Sequence, residues 1–261
     1  MDDRLVLEAL PPVMLSLLGV FRLVVGGQLT AINSGSKSEY LLVCLALARR
    51  HCLLRADLLE RLWPEYDPNL AGQSLNSLTS QINKLTVPLL EGAGLITHVN
   101  GYYCLNTDSG VGLDIDYFET WQKQGKQLLN QGHETQGLAF CRQALALYHG
   151  DLCGDANLQT VMERERLRVA YLDLLAQLAD YHYRHAQADE ALTYIHRLLA
   201  HDPCREDAHR LAMRCYLLLN QRAQALRQYR LCCQALLREF EAQPEPATVA
   251  LYEQIRTNKV E

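Results

Sequence analysis

The sequence predicts a mainly α-helical protein of two domains, in which a small α+β domain precedes an all-α domain built of helix pairs. Strand-like and helical segments alternate over residues 13–108, whereas residues 111–258 show helical periodicity alone. The chain of 261 residues also exceeds the usual size of a single domain, so we expect two domains of about 100 and 150 residues.

The first segments predict a flexible arm and then short antiparallel strands. Residues 1–12 have no convincing period and end in two prolines, which favours an arm. From Val13 to Ile32, apolar residues lie on both sides of a Gly26-Gly27 turn. This pattern is typical of short hairpin strands.

Three helices should follow these strands. Ser36 is a plausible N-cap for the first helix, and Pro64 stops the second. The periodicity gives three approximate ranges: 37–50, 55–63 and 70–85. The third helix should turn four apolar residues to the core: Leu75, Leu78, Ile82 and Leu85.

A hairpin closes the first domain. Residues 95–105 form two apolar runs around Asn100-Gly101, the strongest short hairpin signal that a sequence offers. Strands, three helices and a terminal hairpin, in this order, predict a winged helix-turn-helix domain over residues 13–108.

The second domain is predicted to contain seven helices and a repeat. Their approximate ranges are 115–131, 133–149, 158–185, 187–201, 205–220, 221–242 and 246–257. A shift of 34 residues lays Ala191-Leu192 on Ala225-Leu226 and Leu198 on Cys232. A helix-turn-helix repeat of this length is the tetratricopeptide signature.

The cysteines and motifs argue against a metal site, a cofactor and catalysis. The nine cysteines are scattered without a CxxC, which predicts reduced and mostly buried thiols. His182 and His185 lack a second cluster that would complete a zinc site. Hydrolase, metalloprotease, P-loop and dinucleotide motifs are absent from the sequence, so we expect no enzyme and no cofactor.

Charge and hydropathy suggest a cytoplasmic protein that is not basic. Asp2 and Asp3 stand where a signal peptide would carry positive charge, and no apolar run has the length of a membrane span. Residues 1–109 hold 8 Lys and Arg against 10 Asp and Glu, and the remainder holds 17 against 20. Nucleic-acid affinity would therefore depend on local contacts, because net charge gives no general attraction to phosphate.

Eight strings occur in order over residues 13–256: LSLLGVFRL, LLERLWP, LNSLTSQINKL, NGYYCL, DIDYFE, ALALYHGDL, HDPCREDAHRLAM and AQALRQY. Taken together, they resemble the bacterial transcriptional activator domain family, which includes the actinomycete antibiotic-pathway activators. The resemblance implies an OmpR-type winged helix followed by a tetratricopeptide-like domain. It also implies a regulator that binds promoter repeats and contacts RNA polymerase or another regulatory protein, with a possible homodimer and no membrane partner.

The chain departs from this family at several basic positions. Members usually carry several arginines late in the third helix, where only Lys84 keeps a charge here. Glu39 replaces a typical basic residue near the first helix, and His98 and Asn100 stand where the wing often has arginine. A second hypothesis therefore stays open, in which the winged helix is a protein-interaction scaffold that has lost its DNA affinity.

If the third helix enters a major groove, the residues opposite its apolar side face the bases. Ser36 and Lys37 lie at the predicted start of the first helix, where the free backbone amides could bind a phosphate. The predicted DNA-binding residues are Ser36, Lys37, Asn76, Ser77, Ser80, Gln81, Asn83, Lys84, His98 and Asn100. The alternative for the helix residues is an ordinary solvated face, and for Ser36 and Lys37 an N-cap followed by a surface lysine.

Overall fold

In a computed structural model, residues 10–154 and 157–257 are described. The chain divides into two compact units, Met1–Leu167 and Arg168–Glu261. Most of the predicted arm, residues 1–9, lies outside the described residues. At its end, the Pro12 carbonyl accepts a hydrogen bond of 2.8 Å from the Gly26 amide, which connects this residue to the first sheet.

The first unit begins with a four-stranded sheet. Its strands are β1 (Val13–Ser16), β2 (Arg22–Val25), β3 (Gln28–Thr30) and, much later in the chain, β7 (Val111–Leu113), and their order is β3-β2-β1-β7. β1 runs antiparallel to β2 and parallel to β7. Gly26 and Gly27 make the predicted tight turn with φ of 59° and 78°, values that favour glycine.

Three helices and a second sheet form the winged helix. The helices are α1 (Lys37–Ala46), α2 (Arg55–Leu62) and α3 (Pro68–Thr86), and the strands are β4 (Cys52–Leu54), β5 (Ile96–Val99) and β6 (Tyr102–Leu105). β6 lies between β4 and β5. Asn100 and Gly101 have φ of 52° and 82°, so the predicted Asn-Gly hairpin turn is confirmed.

The predicted end of α1 at Arg50 is wrong. The helix stops at Ala46, and Arg50 and His51 adopt left-handed φ values of 57° and 56°. Such residues cannot continue a right-handed helix. They redirect the chain into β4, a three-residue strand that the sequence did not predict.

The predicted apolar side of α3 is wrong at Leu85, which is 45% exposed. Thr79 and Thr86 are buried instead. Their hydroxyls donate to the carbonyls of Leu75 at 2.9 Å and Asn83 at 3.2 Å. Because these local bonds satisfy the hydroxyls, threonine is accepted in the core and the buried face is rotated.

The prediction that the cysteines are reduced is wrong for one pair. Cys52 and Cys104 lie opposite each other on β4 and β6 and form a disulfide. The other seven cysteines form no disulfide, and four of them are buried: Cys44, Cys141, Cys215 and Cys232. Because β4 has only three residues and was not predicted, no register could be predicted that brings Cys52 opposite Cys104.

A buried carboxylate joins the first sheet to the helices that follow it. Asp114, at the start of α4 (Asp114–Asn130), is 1% exposed. Its oxygens accept hydrogen bonds from the amides of Leu17 at 2.8 Å and Leu18 at 2.9 Å. Burial raises the pKa of this carboxyl to about 6, and the amides of Leu18 and Leu17 oppose that increase.

α4 and α5 (Glu134–Leu147) cross closely at two glycines. A Cβ added to Gly125 would lie 2.5 Å from Cys141 Sγ and 3.0 Å from the Gly137 carbonyl oxygen. Gly137 in turn packs against Leu129. Only glycine fits at these positions, since any side chain would separate the helix backbones.

We expect Gly125→Ala to lower the free energy of unfolding by about 2 kcal/mol, because overpacking outweighs the better helix propensity of alanine. Urea unfolding followed by circular dichroism measures the change. Gly72→Ala is the matched control, because a Cβ there meets only the mobile end of the Arg55 side chain. Equal stability of the two variants would contradict the close crossing.

The last helices form pairs. They are α6 (Leu158–Arg184), α7 (Ala188–His201), α8 (Glu206–Leu218), α9 (Arg222–Phe240) and α10 (Pro246–Arg256). Of the residues that the 34-residue shift superimposes, Ala191 and Leu198 in α7 and Ala225 and Cys232 in α9 are buried. This agreement supports the repeat. In the described ranges, none of the helices combines the length and apolar character that would let it cross a membrane.

Candidate nucleic-acid interface

The exposed face of α3 is polar over about three turns, from Gln73 to Lys84. Asp67 caps the helix by accepting from the amides of Asn69 and Leu70, and Pro68 occupies its first turn. The exposed residues that share one face are Gln73, Ser77, Ser80, Gln81 and Lys84. In the described structure, the last four of these side chains make no hydrogen bond or ion pair within the protein, so their polar groups are available.

This face carries no negative charge. The sequence of α3 contains no Asp or Glu, and Lys84 is its only charged residue. The β5–β6 hairpin, residues 96–105, also contains no Asp or Glu. The excess of acid in the first domain comes from residues 1–9, which hold three acids and one arginine, so residues 10–109 carry seven of each sign. Net charge is therefore a poor guide to the local field of α3.

Two asparagines on one flank of α3 fix the helix to the hairpin. Asn83 donates to the Ile96 carbonyl and accepts from the Ile96 amide, both at 2.8 Å. One heptad earlier, Asn76 accepts from the Tyr103 hydroxyl at 2.9 Å. Seven residues are about two helical turns, so both amides project toward the same strand pair. Helix and wing are thereby held in one register.

We expect Asn83→Ala to lower the free energy of unfolding by about 1–3 kcal/mol, because the amide and carbonyl of the buried Ile96 lose their partner. Urea denaturation measures the loss. Gln81→Ala, on the exposed face of the same helix, should stay within about 0.5 kcal/mol of the wild type. If Asn83→Ala loses no more stability than Gln81→Ala, the bonds between Asn83 and Ile96 do not hold the hairpin to α3.

The two predicted wing residues are exposed beside this clamp. The His98 ring stacks on the Tyr103 ring, with 4.4 Å between centroids. Asn100 is the first turn residue of the hairpin, and the Gly101 carbonyl next to it accepts from the Arg55 amide at 2.9 Å. Both side chains therefore lie on a hairpin whose turn is held to the start of α2.

Ser36 and Lys37 have partners within the protein at the start of α1. Ser36 accepts from the Glu39 amide at 3.3 Å, and Glu39 accepts from the Gly35 amide at 2.8 Å. Glu39, which stands where the family has a basic residue, thus helps to cap this helix. Lys37 donates to the Leu62 carbonyl at 2.6 Å and lies 6.0 Å from the Trp63 ring centroid.

The sequence reasoning missed several residues around this surface. Gln73 precedes Ser77 by one turn and extends the same exposed face, which the sequence prediction begins at Asn76. The Arg55 guanidinium lies against Gly72 in α3. Arg49 and Arg50 line a cleft beside the wing turn. The run Arg49-Arg50-His51 is a basic signal in the sequence, but the predicted range of the first helix, 37–50, includes both arginines, whereas α1 ends at Ala46.

Of the ten predicted residues, the structure therefore places eight on α3 or on the wing beside it. Four have free polar groups on the helix face, two hold the wing against the helix, and two lie on the wing. The remaining two lie at the start of α1, where Ser36 caps the helix and Lys37 donates to the Leu62 carbonyl. Contact of any of them with DNA stays a prediction.

The comparisons with known proteins cover both parts of the chain. A family model described as bacterial transcriptional activator domain matches residues 113–256, more than half of the chain. Regulatory protein AfsR of Streptomyces coelicolor (strain ATCC BAA-471 / A3(2) / M145) is 24% identical over 227 residues, which cover 87% of this chain and 22% of that protein. The structure of Mycobacterium tuberculosis EmbR in complex with a low affinity phosphopeptide is similar with a TM-score of 0.72 at 21% identity.

The EmbR match covers 95% of this chain and 66% of that chain. The chain thus spans under a quarter of the AfsR length and just under two thirds of the EmbR chain. The likeness to EmbR confirms the predicted fold class, a winged helix followed by tetratricopeptide-like helices. Because the family model matches more than half of its residues, the chain belongs to the bacterial transcriptional activator domain family.

Proposed function

We propose that the chain is a cytoplasmic, non-enzymatic transcriptional regulator that binds promoter DNA through its winged helix. The observation that carries this proposal is the face of α3, which has four free polar side chains and no carboxylate, clamped beside a hairpin that also lacks carboxylates. A major groove admits an α-helix of this kind, and phosphates repel acidic faces.

Base contacts are assigned to the exposed face of α3. Gln81 can pair bidentately with adenine, and Lys84 can donate to guanine or to a phosphate. Ser77 and Ser80 lie on the same face and can donate to or accept from either kind of base. Asn76 and Asn83 are given a positioning role, since they hold the wing against the helix.

Phosphate contacts are assigned around the helix. The capped start of α1 offers Ser36 and Lys37, and the Lys37 ammonium keeps two further donors after its bond to the Leu62 carbonyl. His98 and Asn100 would contact the backbone from the wing. Arg55, which lies against α3, supplies a guanidinium that the sequence reasoning did not include.

The helical domain is assigned the partner contacts of an activator. We propose winged-helix and activator domains at residues 13–108 and 111–258, of which the second contacts RNA polymerase or another regulatory protein. A homodimer on repeated promoter sites fits the same scheme. The family match over residues 113–256 supports this assignment.

Fluorescence anisotropy of a labelled fragment from upstream of the chain's own gene tests the proposal. An equally long fragment from within the coding region serves as competitor. We expect Lys84→Ala to weaken binding by about tenfold and to reduce the slope of log affinity against log salt by about 1. Lys126→Ala, an exposed lysine in α4, is the matched control and should change neither quantity.

The absence of binding at low salt, where cationic contacts are strongest, would overturn the proposal. Equal affinity for the two fragments would leave only unspecific attraction and would count against a promoter role. Equal losses in the Lys84 and Lys126 variants would show that total charge, and not α3, determines the affinity.

A further inference from the structure

The Cys52–Cys104 disulfide lies at a surface cleft on the wing sheet. Tyr103 points to α3, so its neighbours Tyr102 and Cys104 point to the opposite face of β6. Both cysteines are half-buried. They line a cleft of about 570 Å³ with five other residues: Arg49, Arg50, Val99, Asn100 and Tyr102. A small molecule in this cleft would lie beside the two sulfurs.

The cleft is cationic. It is lined by two arginines and by no Asp or Glu. Across the part of the chain that the structure describes, neither guanidinium is paired with a carboxylate. The left-handed turn at Arg50 ends one residue before β4 and keeps both arginines close to Cys52. An anion entering the cleft therefore meets two guanidinium groups that form no ion pair in the described chain, although Arg49 also borders a second cleft that Asp116, Glu119 and Glu163 line.

We propose that Cys52–Cys104 is a thiol-exchange site for small thiols that carry a carboxylate. Disulfides of cytosolic proteins are usually transient and either catalytic or redox-sensing, whereas structural ones belong to oxidising compartments. Exchange requires access of a thiolate to a sulfur atom, and the half-buried pair at an open cleft provides it. Arg49 and Arg50 attract the carboxylate and thereby favour anionic thiols over neutral ones.

The exchange is a balanced displacement. The thiolate of the small molecule attacks one sulfur of the pair, a mixed disulfide forms, and the Cys52–Cys104 bond breaks. The bonding electrons leave with the second cysteine, whose thiolate takes a proton from solvent. A second small thiolate then attacks the mixed disulfide, so that both cysteines end reduced and the two small thiols are oxidised to their disulfide.

The consequence for DNA rests on the proposed function. A mixed disulfide places a carboxylate beside Asn100 on the wing, where we assign a phosphate contact. Like charges repel, so the adduct should bind DNA about fivefold more weakly than the oxidised chain. This effect reverses when the adduct is removed.

Rates of exchange on the full oxidised chain test the site without DNA. Three thiols are compared: 3-mercaptopropionate (anionic), 2-mercaptoethanol (neutral) and cysteamine (cationic). Each rate is read by alkylation and mass spectrometry and divided by the rate of the same thiol on bis(2-hydroxyethyl) disulfide, which cancels differences in nucleophilicity. We expect the anionic thiol to be favoured over the neutral one by about fivefold, and the cationic thiol to be disfavoured.

The preference should fall toward 1 in Arg49→Gln/Arg50→Asn, in which asparagine tolerates the left-handed turn, and in wild type at about 0.5 M salt. Lys123→Gln/Lys126→Gln removes the same charge from exposed positions of α4 and should keep the preference. The proposal would be overturned if the oxidised chain shows no preference for the anionic thiol, or if that preference survives the arginine substitutions. It would also be overturned if Cys52 and Cys104 stay reduced after diamide treatment. If exchange shows the preference but the adduct binds DNA normally, the exchange site stands and its regulatory consequence is wrong.

Discussion

Replacing Asp114 by alanine is expected to lower the free energy of unfolding by about 3–5 kcal/mol. The amides of Leu17 and Leu18 are fully buried and donate to this carboxylate, and the substitution leaves both without an acceptor. It also removes the link between β1 and the start of α4. Urea unfolding measures the loss, and hydrogen exchange at the two amides locates it.

Asp108→Ala is the control, because Asp108 is exposed and precedes the same strand, β7. It should stay within about 0.5 kcal/mol of the wild type. If the Leu17 and Leu18 amides exchange at unchanged rates in Asp114→Ala, the carboxylate is not their essential acceptor. A small loss of stability together with unchanged exchange would therefore refute the assigned role.

The same carboxyl predicts a pH dependence with a definite sign. The folded chain keeps the Asp114 proton up to a pKa of about 6, whereas the unfolded chain loses it near 3.8. Its contribution to stability is therefore full below about pH 4 and declines as the pH rises through 6, by about 3 kcal/mol. Relative to Asp114→Asn, which does not titrate, the wild type should lose stability from pH 4 to 7. A difference that rises with pH would mean that the amides outweigh burial.

Helical periodicity was enough to predict the architecture, and the reason is physical. A helix longer than ten residues repeats its apolar face several times, and its bounds carry caps such as Ser36 and Asp67. β4 and β7 have three residues each, which is too few for any alternation. Because these two strands could not be predicted, neither could the Cys52–Cys104 pairing or the parallel partner of β1. Both depend on long-range register.

The sequence was enough to predict which residues share the exposed face of α3, but not the role of each residue. Spacing along α3 places Ser77, Gln81 and Lys84 together, and the structure agrees. The same spacing cannot distinguish an asparagine that reads a base from one that holds a strand. Asn83 belongs to the second kind because its partner, Ile96, lies on a hairpin whose docking is set by tertiary packing. Residues that are close only in space, such as Arg55 and Gly72, leave no local signal.

The double substitution Gln81→Glu/Lys84→Glu is expected to weaken promoter binding by about 100-fold or more. Each good base contact discriminates by about 1–3 kcal/mol, and two new carboxylates would also face phosphates. The fold should be unaffected, since both side chains are exposed and have no partner in the described protein. Anisotropy titrations at one fixed salt concentration, with circular dichroism of the variant, measure the two expectations.

Lys126→Glu/Gln127→Glu is the matched control, because it makes the same change of charge at exposed positions of α4. A regulator that reads DNA through α3 should lose its affinity in the first variant and keep most of it in the second. Equal losses would mean that long-range repulsion from the whole chain governs binding, and that the carboxylate-free face of α3 has no special part in it. Unchanged affinity in both variants would exclude α3 from the interface altogether, since no groove contact survives two added negative charges at its centre.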